Sequence, residues 1–431
     1  MHRSSALGVG FLLLFSFVVL TVPASAASLT VGPSEQYKTI TEAVNAAQPG
    51  DTITIGPGTY TENVIVAKSL TITALRADSP PTIKAADQNK DVFRVQGRDV
   101  HIAGLTITGA SNASGVHIDH TSGCVVTTIL SYSNERAVYL EGATNSEVRD
   151  SNLAGNGYGV YCDGASHNII SGNVATNERG TKDALGDGLY LFYSNGNTIT
   201  DNNCSANHIF GISLFKSSDN TISKNVIRSN EQIGVRLRDS DNNTLTYNTI
   251  SSNGQPGKEL DYPPAAPSFG QLGILLASNN TRVYLNDFVN QSIPVSDGQS
   301  ALWSSPEKLT YTYNDVTHQG YMGNHYSDYE GSDISGTGIG STPSAYGDTY
   351  PLIRPFESYE PIGTHSLATL PARATTSPAQ DTPSSVAAVS VVTGLPMERL
   401  VSGMLGFSIG TALIAIIVIA YVVMHSRSKP D

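Results

Sequence analysis

Between Asn168 and Leu276 the chain repeats itself in register. Asn197-Thr198-Ile199, Asn220-Thr221-Ile222 and Asn243-Thr244-Leu245 each open a block that runs on to Gly211-Ile212-Ser213-Leu214, Gly234-Val235-Arg236-Leu237 and Gly273-Ile274-Leu275-Leu276. Ile199 to Ile222 spans 23 residues, and so does Ile222 to Leu245. A unit that short cannot enclose a core of its own, so each block must bury its apolar face on its neighbours. The repeat therefore dictates a solenoid.

Within a block, apolar and polar residues alternate, and Asn and Gly interrupt every few positions; this is the period of strands. The coils are all-β, with three short strands each. Three inward columns follow: Val148, Ile170, Ile199, Ile222, Leu245, Val283; Leu153, Cys204, Ile227, Ile250, Phe288; and Val138, Val160, Leu189, Ile212, Val235, Ile274. Two corner columns are Asn: Asn173, Asn202, Asn225, Asn248, Asn286, and Asn134, Asn156, Asn207, Asn230, Asn253. Asn tolerates the left-handed backbone of a tight corner, and its amide can bond to the next coil.

Two further stretches bracket the repeat. Tyr37 to Ala47, Pro49-Gly50-Asp51-Thr52-Ile53 and Gly56-Pro57-Gly58-Thr59-Tyr60 stand before it; Gly323-Asn324-His325-Tyr326-Ser327-Asp328-Tyr329 and Asp348-Thr349-Tyr350-Pro351-Leu352 follow it. With the repeat, they resemble the right-handed single-stranded parallel β-helix of the pectin-lyase-like superfamily and, within it, the NosD-like repeat proteins of archaeal cell surfaces. The resemblance covers residues 29–356. It implies a fold more than an activity, because this scaffold hosts lyases, hydrolases, esterases, epimerases and non-catalytic proteins.

Residues 1–26 read as a signal peptide, with Arg3, an apolar run from Val9 to Leu20 and a small-residue Ala24-Ser25-Ala26 cleavage site. Residues 27–110 hold an amino-terminal cap and the first coils. There Thr39 and Glu42 form a capping box for a short helix whose apolar face is Ile40, Ala43, Val44 and Ala47. Residues 111–295 are the regular coils, 296–360 a carboxyl-terminal cap, and 361–399 a Ser/Thr/Pro/Ala stalk with no means of forming a core. Residues 400–424 carry no charge and are long enough to cross a bilayer; Arg427 and Lys429 in the tail, 425–431, put that tail inside and the large domain outside. Two coils carry surplus residues, around Glu178 to Asp183 and Gln255 to Phe269, expected as surface loops on one side. The net charge of -12 argues against nucleic acid as a partner. Three cysteines are too few for a disulfide framework, and Cys162 and Cys204 fall in inward columns as buried thiols.

Chemistry is expected on the strand that follows the insertions. Its outward column reads His117, Tyr139, Tyr161, Tyr190, Ser213, Arg236, and beside it run Asp119, Glu141, Asp163, Phe192, Phe215, Arg238. Stacked Asp119, Glu141 and Asp163 repel unless a cation, protonation or divergent side chains relieve them, and oxygen ligands suit calcium. The tyrosines offer faces for sugar rings. Arg236 and Arg238 with Asp187, Lys216 and Asp239 supply parts of a lyase or hydrolase site, but they lie three coils from Asp163. Copper handling, which the NosD resemblance implies, needs soft or imidazole ligands. His117 and His120, three apart on a strand, are expected on opposite faces, and no Met or Cys cluster joins them. Asn112, Asn203, Asn242, Asn279 and Asn290 stand in N-x-Ser/Thr sequons. The expected function is a membrane-anchored, extracytoplasmic β-helix that binds or structurally supports cell-surface polysaccharide or envelope protein. The alternative is a polysaccharide-modifying lyase, hydrolase or epimerase.

Overall fold

A computed structural model describes residues 26–180, 186–254, 272–291 and 301–362. The expected signal peptide up to residue 25, the insertions at 181–185 and 255–271, and the stalk, apolar segment and tail from residue 363 onward lie outside the described residues. No helix among the described residues is long and apolar enough to cross a membrane.

The chain opens with one strand and then α1 (Ile40–Ala46). The Thr39 side chain accepts from Glu42 N while the Glu42 carboxylate accepts from Thr39 N, the reciprocal cap the sequence predicts. Ile40, Ala43 and Val44 are buried, so α1 seals the open end of the core. Beyond it the chain winds as a parallel β-helix. One side is a 12-stranded sheet, a second is 9-stranded, and the third is two 4-stranded sheets. Single bridges through Asn152, Val174 and Asn203 join those last two.

Register follows the apolar columns. Val148 pairs with Ile170, then Ile199, Ile222, Leu245 and Val283 in turn, all fully buried. Val138, Val160, Leu189, Ile212, Val235 and Ile274 do the same on the second side, and Ile227, Ile250 and Phe288 on the third. Each such side chain contributes roughly 1.5–3 kcal/mol of burial. Cys124, Cys162 and Cys204 are free and buried.

The corners correct one expectation. The ladder Asn residues do not take the left-handed backbone; the residue before each one does. Asp201, Lys224, Tyr247 and Leu285, with φ of 57°, 56°, 58° and 54°, precede Asn202, Asn225, Asn248 and Asn286. That turn, costly for Tyr and Leu, frees the following Asn to lie inside. Asn202 N donates to Asn225 Oδ1 (3.0 Å), Asn225 N to Asn248 Oδ1 (2.9 Å) and Asn248 N to Asn286 Oδ1 (3.0 Å). Asn225 Nδ2 meanwhile donates to Ile199 O (3.0 Å) and Asn248 Oδ1 (3.0 Å). Buried corner amides that would otherwise lose water are thus satisfied by the next coil. A third Asn ladder, Asn168, Asn197, Asn220 and Asn243, runs the same way. A fourth corner uses serine, Ser194, Ser217, Ser240 and Ser278.

Glu178 is a second correction. Expected in a surface loop, it occupies a ladder position, accepting from Asn156 N (2.6 Å) and donating its own N–H to Asn207 Oδ1 (3.0 Å). Its Oε1 has no hydrogen-bond partner among the described residues, and burial pushes its carboxyl well above the usual range.

The cap ends the Asn ladder. Asn286 N donates to Asn324 Oδ1 (3.1 Å), and Asn324 N to Asp348 Oδ2 (2.7 Å), which also accepts from the Tyr326 hydroxyl (3.2 Å). Burial raises the Asp348 carboxyl to about 6. Gly323 is required because a Cβ there would strike that carboxylate. The Gly-Asn-His-Tyr motif is therefore a terminator of the solenoid. An antiparallel hairpin, Leu309–Tyr313 with Val316–Gly320, carries a separate small core around Tyr311, Met322 and Leu352.

Candidate functional site on the outer sheet

The 9-stranded sheet comprises, in chain order, β1 (Val64–Val66), β2 (Phe93–Val95), β3 (Ser114–Asp119), β4 (Arg136–Glu141), β5 (Tyr158–Asp163), β6 (Leu189–Phe192), β7 (Phe210–Phe215), β8 (Ile233–Arg238) and β9 (Leu272–Ala277). Pairing aligns Arg94, His117, Tyr139, Tyr161, Tyr190, Ser213, Arg236 and Leu275 in one row. Asp119, Glu141, Asp163, Phe192, Phe215, Arg238 and Ala277 form the next. Both predicted columns exist.

They are not uniformly solvent-facing, as alternation alone implied. His117 is 5%, Ser213 0% and Arg236 6% exposed. A third outward row, which strict alternation missed, is the reason. At Gly211 and Gly234 a Cβ would lie 2.7 Å from the ladder amides Asn230 Nδ2 and Asn253 Nδ2, so glycine and the next residue both turn inward. The residue before the glycine consequently faces out. Phe210, Ile233 and Leu272, with Ile209, make an apolar cluster outside the coil, and the Arg236 guanidinium lies 4.6 Å from the Phe210 ring centre. The same row supplies Arg136 and Tyr158.

Acidic groups concentrate at β2 to β5. His117 Nδ1 meets Asp91 Oδ2 at 2.8 Å and Nε2 meets Glu141 Oε2 at 3.0 Å. Each ring nitrogen is thus held against a carboxylate oxygen. Asp119 Oδ2 accepts from Arg94 Nε (2.9 Å) and Gln96 Nε2 (2.8 Å), while Oδ1 meets His120 Nδ1 (2.8 Å). Burial alone would raise the Asp119 carboxyl, but the bonds from His120, Gln96 and Arg94 hold it well below the carboxylate range. Asp163 is the opposite case. Partial burial and then the neighbouring Glu141 push its carboxyl up, and its Oδ2 has the Tyr139 hydroxyl at 3.5 Å. The ladder of three acids is thus relieved by a different device at each rung.

His120 is not turned away from His117. Its left-handed backbone (φ 48°) breaks the alternation, and its ring packs on Gly142 beside the same acidic row. Arg238 lies three coils from Asp163 along the register, as expected. Asp187 stands between the two ends of the sheet, fully buried, accepting from Phe210 N (3.2 Å). Burial, opposed by Arg236, raises its carboxyl to about 7.

Aromatic rings continue the acidic end. Tyr139 stacks on His117 with centroids 4.5 Å apart; Tyr139 and Tyr161, then Tyr161 and Tyr190, meet edge to face at 5.4 and 5.0 Å. Phe192 stacks on Phe215 at 5.7 Å, and Lys216 Nζ bonds the Tyr193 hydroxyl (2.9 Å). Of the sequon residues, Asn112, Asn242, Asn279 and Asn290 are exposed and Asn203 is half-buried.

His117, Asp119 and Glu141 offer ligand atoms within 4.8 Å of one another. A metal there would have to displace Arg94 and His120 from Asp119. A calcium ion spanning Asp119, Glu141 and Asp163 would meet the same obstacle. Copper in its soft form fits less well still: among the described residues each cysteine is buried in the core, and Met322 is buried in the cap.

A long parallel β-helix with ladders at its corners and one chemically differentiated outer sheet defines the class of protein. The family described as "Periplasmic copper-binding protein (NosD)" matches residues 44–182 and 98–331, together more than half of the 431 residues. The chain belongs to the NosD family. A cell surface glycoprotein of Methanothermus fervidus is 31% identical over 121 residues, 27% of this chain and 20% of that protein. The chain thus spans about a fifth of that relative's length. Among solved structures, the Dettilon tailspike protein is similar with a TM-score of 0.48 at 15% identity, covering 59% of this chain and 54% of that one. An alginate lyase from Paenibacillus sp. gives 0.46 at 16%, covering 64% and 97%.

Proposed function

We propose that the outer sheet is a glycan-binding platform on an extracytoplasmic protein. The observation that carries this reading is the unbroken run of aromatic side chains, Tyr139, Tyr161, Tyr190, Phe192 and Phe215, on successive coils beside an acidic, hydrogen-bonding end. An extended polymer laid along the solenoid meets ring edges and polar groups at about 4.8 Å intervals. The likeness to a cell surface glycoprotein and the periplasmic naming of the family support an outward location. The amino-terminal apolar segment and the uncharged segment at 400–424 support export and anchoring. Envelope protein is the second partner class.

A glycan array probed with the full-length chain, with and without calcium, tests the platform. Phe192→Ala and Tyr161→Ala should each weaken binding by about 1–3 kcal/mol, the worth of an aromatic stacking contact. Binding unchanged in both variants, or binding to nothing on the array, removes the reading.

A further inference from the structure

We propose that a cavity in the carboxyl-terminal cap, between segments 326–331 and 342–346, binds an alkylammonium cation: an ammonium or trimethylammonium group carried on a short alkyl chain. The cavity has a volume of about 390 Å³ and opens to solvent. That is within the roughly 300–1,000 Å³ of small-molecule sites. The inference stands apart from the outer sheet and its glycan.

The walls are tyrosine rings fixed from behind. Tyr326 stacks on Phe288 of the core with centroids 5.5 Å apart, and Tyr346 tilts onto Tyr326 at 5.2 Å. Tyr329 is slotted between Gly331 and Gly340, where a Cβ on either glycine would strike its phenol, and its hydroxyl donates to Thr342 O (2.6 Å). Two positions without side chains thus make the space that this ring occupies. The Tyr326 hydroxyl donates to Asp348 Oδ2 (3.2 Å) and the Tyr346 hydroxyl to Asp328 Oδ2 (2.8 Å). All three hydroxyl protons are committed within the protein, so a ligand meets rings whose placement is set before it arrives.

Charge comes from Asp328 and Glu330, both exposed at the cavity. No Lys, Arg or His lines it among the described residues. With Oδ2 taken by Tyr346, Asp328 keeps Oδ1 for a ligand. The cavity therefore offers negative charge and aromatic carbon, with its tyrosine donors spent. An anion is repelled there, and a neutral sugar wants donors as well as acceptors. Calcium takes about six to eight oxygens, more than two carboxylates beside aromatic rings supply. An alkylammonium group uses both features, drawn to the carboxylates by its charge and to the rings by their quadrupoles, and the second attraction grows as the cavity strips water from the cation.

The test is saturation-transfer difference NMR on the full-length chain with choline and with 3,3-dimethylbutanol, which has the same shape with carbon in place of the charged nitrogen. Nα-acetyl-lysine methylamide, as a side-chain source of the ammonium, and glucose complete the set. Choline or the lysine amide should give a saturable signal, and the neutral isostere should bind at least about 10-fold more weakly. Saturation by choline alone assigns a free quaternary solute, and by the lysine amide a protein side chain. Asp328→Asn combined with Glu330→Gln should reduce choline to the level of the isostere without changing the melting temperature, because both side chains are exposed. Tyr329→Leu should weaken the cation further than the isostere. Equal binding of the isostere, a choline signal that persists in the double variant, saturation by glucose in place of the amines, or no saturation by either amine at tens of millimolar overturns the assignment.

Discussion

The two ends of the outer sheet share a backbone and differ in almost everything they present. At β3 to β5 the outward rows carry His117, Asp119, Arg136, Tyr139, Glu141 and Asp163, with hydrogen bonds joining His117 to Glu141 and Tyr139 to Asp163. At β7 to β9 the same rows carry Phe210, Ile233, Leu272 and Leu275, packed into an apolar cluster with the Arg236 guanidinium over the Phe210 ring. Behind both ends stand the same column of Val, Leu and Ile and the same corner ladders. Stability and chemistry are thus separated by direction: inward positions obey one rule over the whole length, and outward positions are free to diverge coil by coil.

That separation can be broken most sharply in the core. Val160 lies behind the acidic end and Val235 behind the apolar end, both fully buried in one column. Val160→Asp and Val235→Asp should each cost about 4 kcal/mol or prevent folding. Unequal losses in denaturant titrations would show that the two ends do not share one core. Next come the ladders. Asn156, at the acidic end, donates to Ser131 O (2.9 Å), and Asn230, at the apolar end, to Cys204 O (3.0 Å). Asn156→Ala and Asn230→Ala should each cost about 2–3 kcal/mol, because each strands buried backbone groups; a loss below 0.5 kcal/mol at either site would mean that water replaces the amide there.

The third comparison is one of pH. Asp187 and Glu178 have carboxyls raised by burial, to about 7 for Asp187. A raised acid stabilises the fold in its protonated form, so its contribution is complete below pH ~4 and is lost as pH rises through the folded value. The melting temperature should fall by a few degrees between pH 4.5 and 7.5, and Asp187→Asn with Glu178→Gln should flatten that fall. A rise over the same interval would contradict the burial of both groups. Asp91 and Asp119 act in the opposite sense, and only below the ordinary carboxylate range. Smallest is Arg94→Ala. Its bridge to Asp119 is partly exposed, so calorimetry should register a loss of no more than about 1 kcal/mol.

Most of this fold is legible in the sequence because a β-helix spells out each contact repeatedly. The column from Val148 to Val283 and the Asn columns follow from spacing alone, as does the capping box at Thr39. What spacing could not reveal depends on single departures from the repeat. Assigning the left-handed backbone to the ladder Asn ignored that a buried amide must point inward, and the residue before it makes the turn. Strict alternation hid the third outward row because it holds only until the glycine of each strand, where two residues face the core in succession. Glu178 looked like loop because Glu is not Asn, yet its carboxylate oxygen accepts the same backbone bond. In the candidate site, Tyr139, Glu141 and Asp163 could be aligned from the repeat. Asp91 and Arg94 could not, since they stand in early coils whose spacing is irregular, and only the pairing of β2 with β3 brings them to His117. The signal that was available is the lone charged residue in Phe93-Arg94-Val95, an outward position flanked by core.

The corner ladders also bear on how such a chain changes length over generations. Every rung receives from the coil before and gives to the coil after through the same groups, so an in-frame duplication of 23 residues inserts a rung that both neighbours already fit. An insertion of two or three residues inside a strand has no such refuge, because it breaks several ladders and shifts the apolar columns together. Copy number is therefore the easy variable in this lineage, and it sets how far the acidic end stands from the terminating Asp348, which acts as a fixed datum from which the rest of the solenoid is measured.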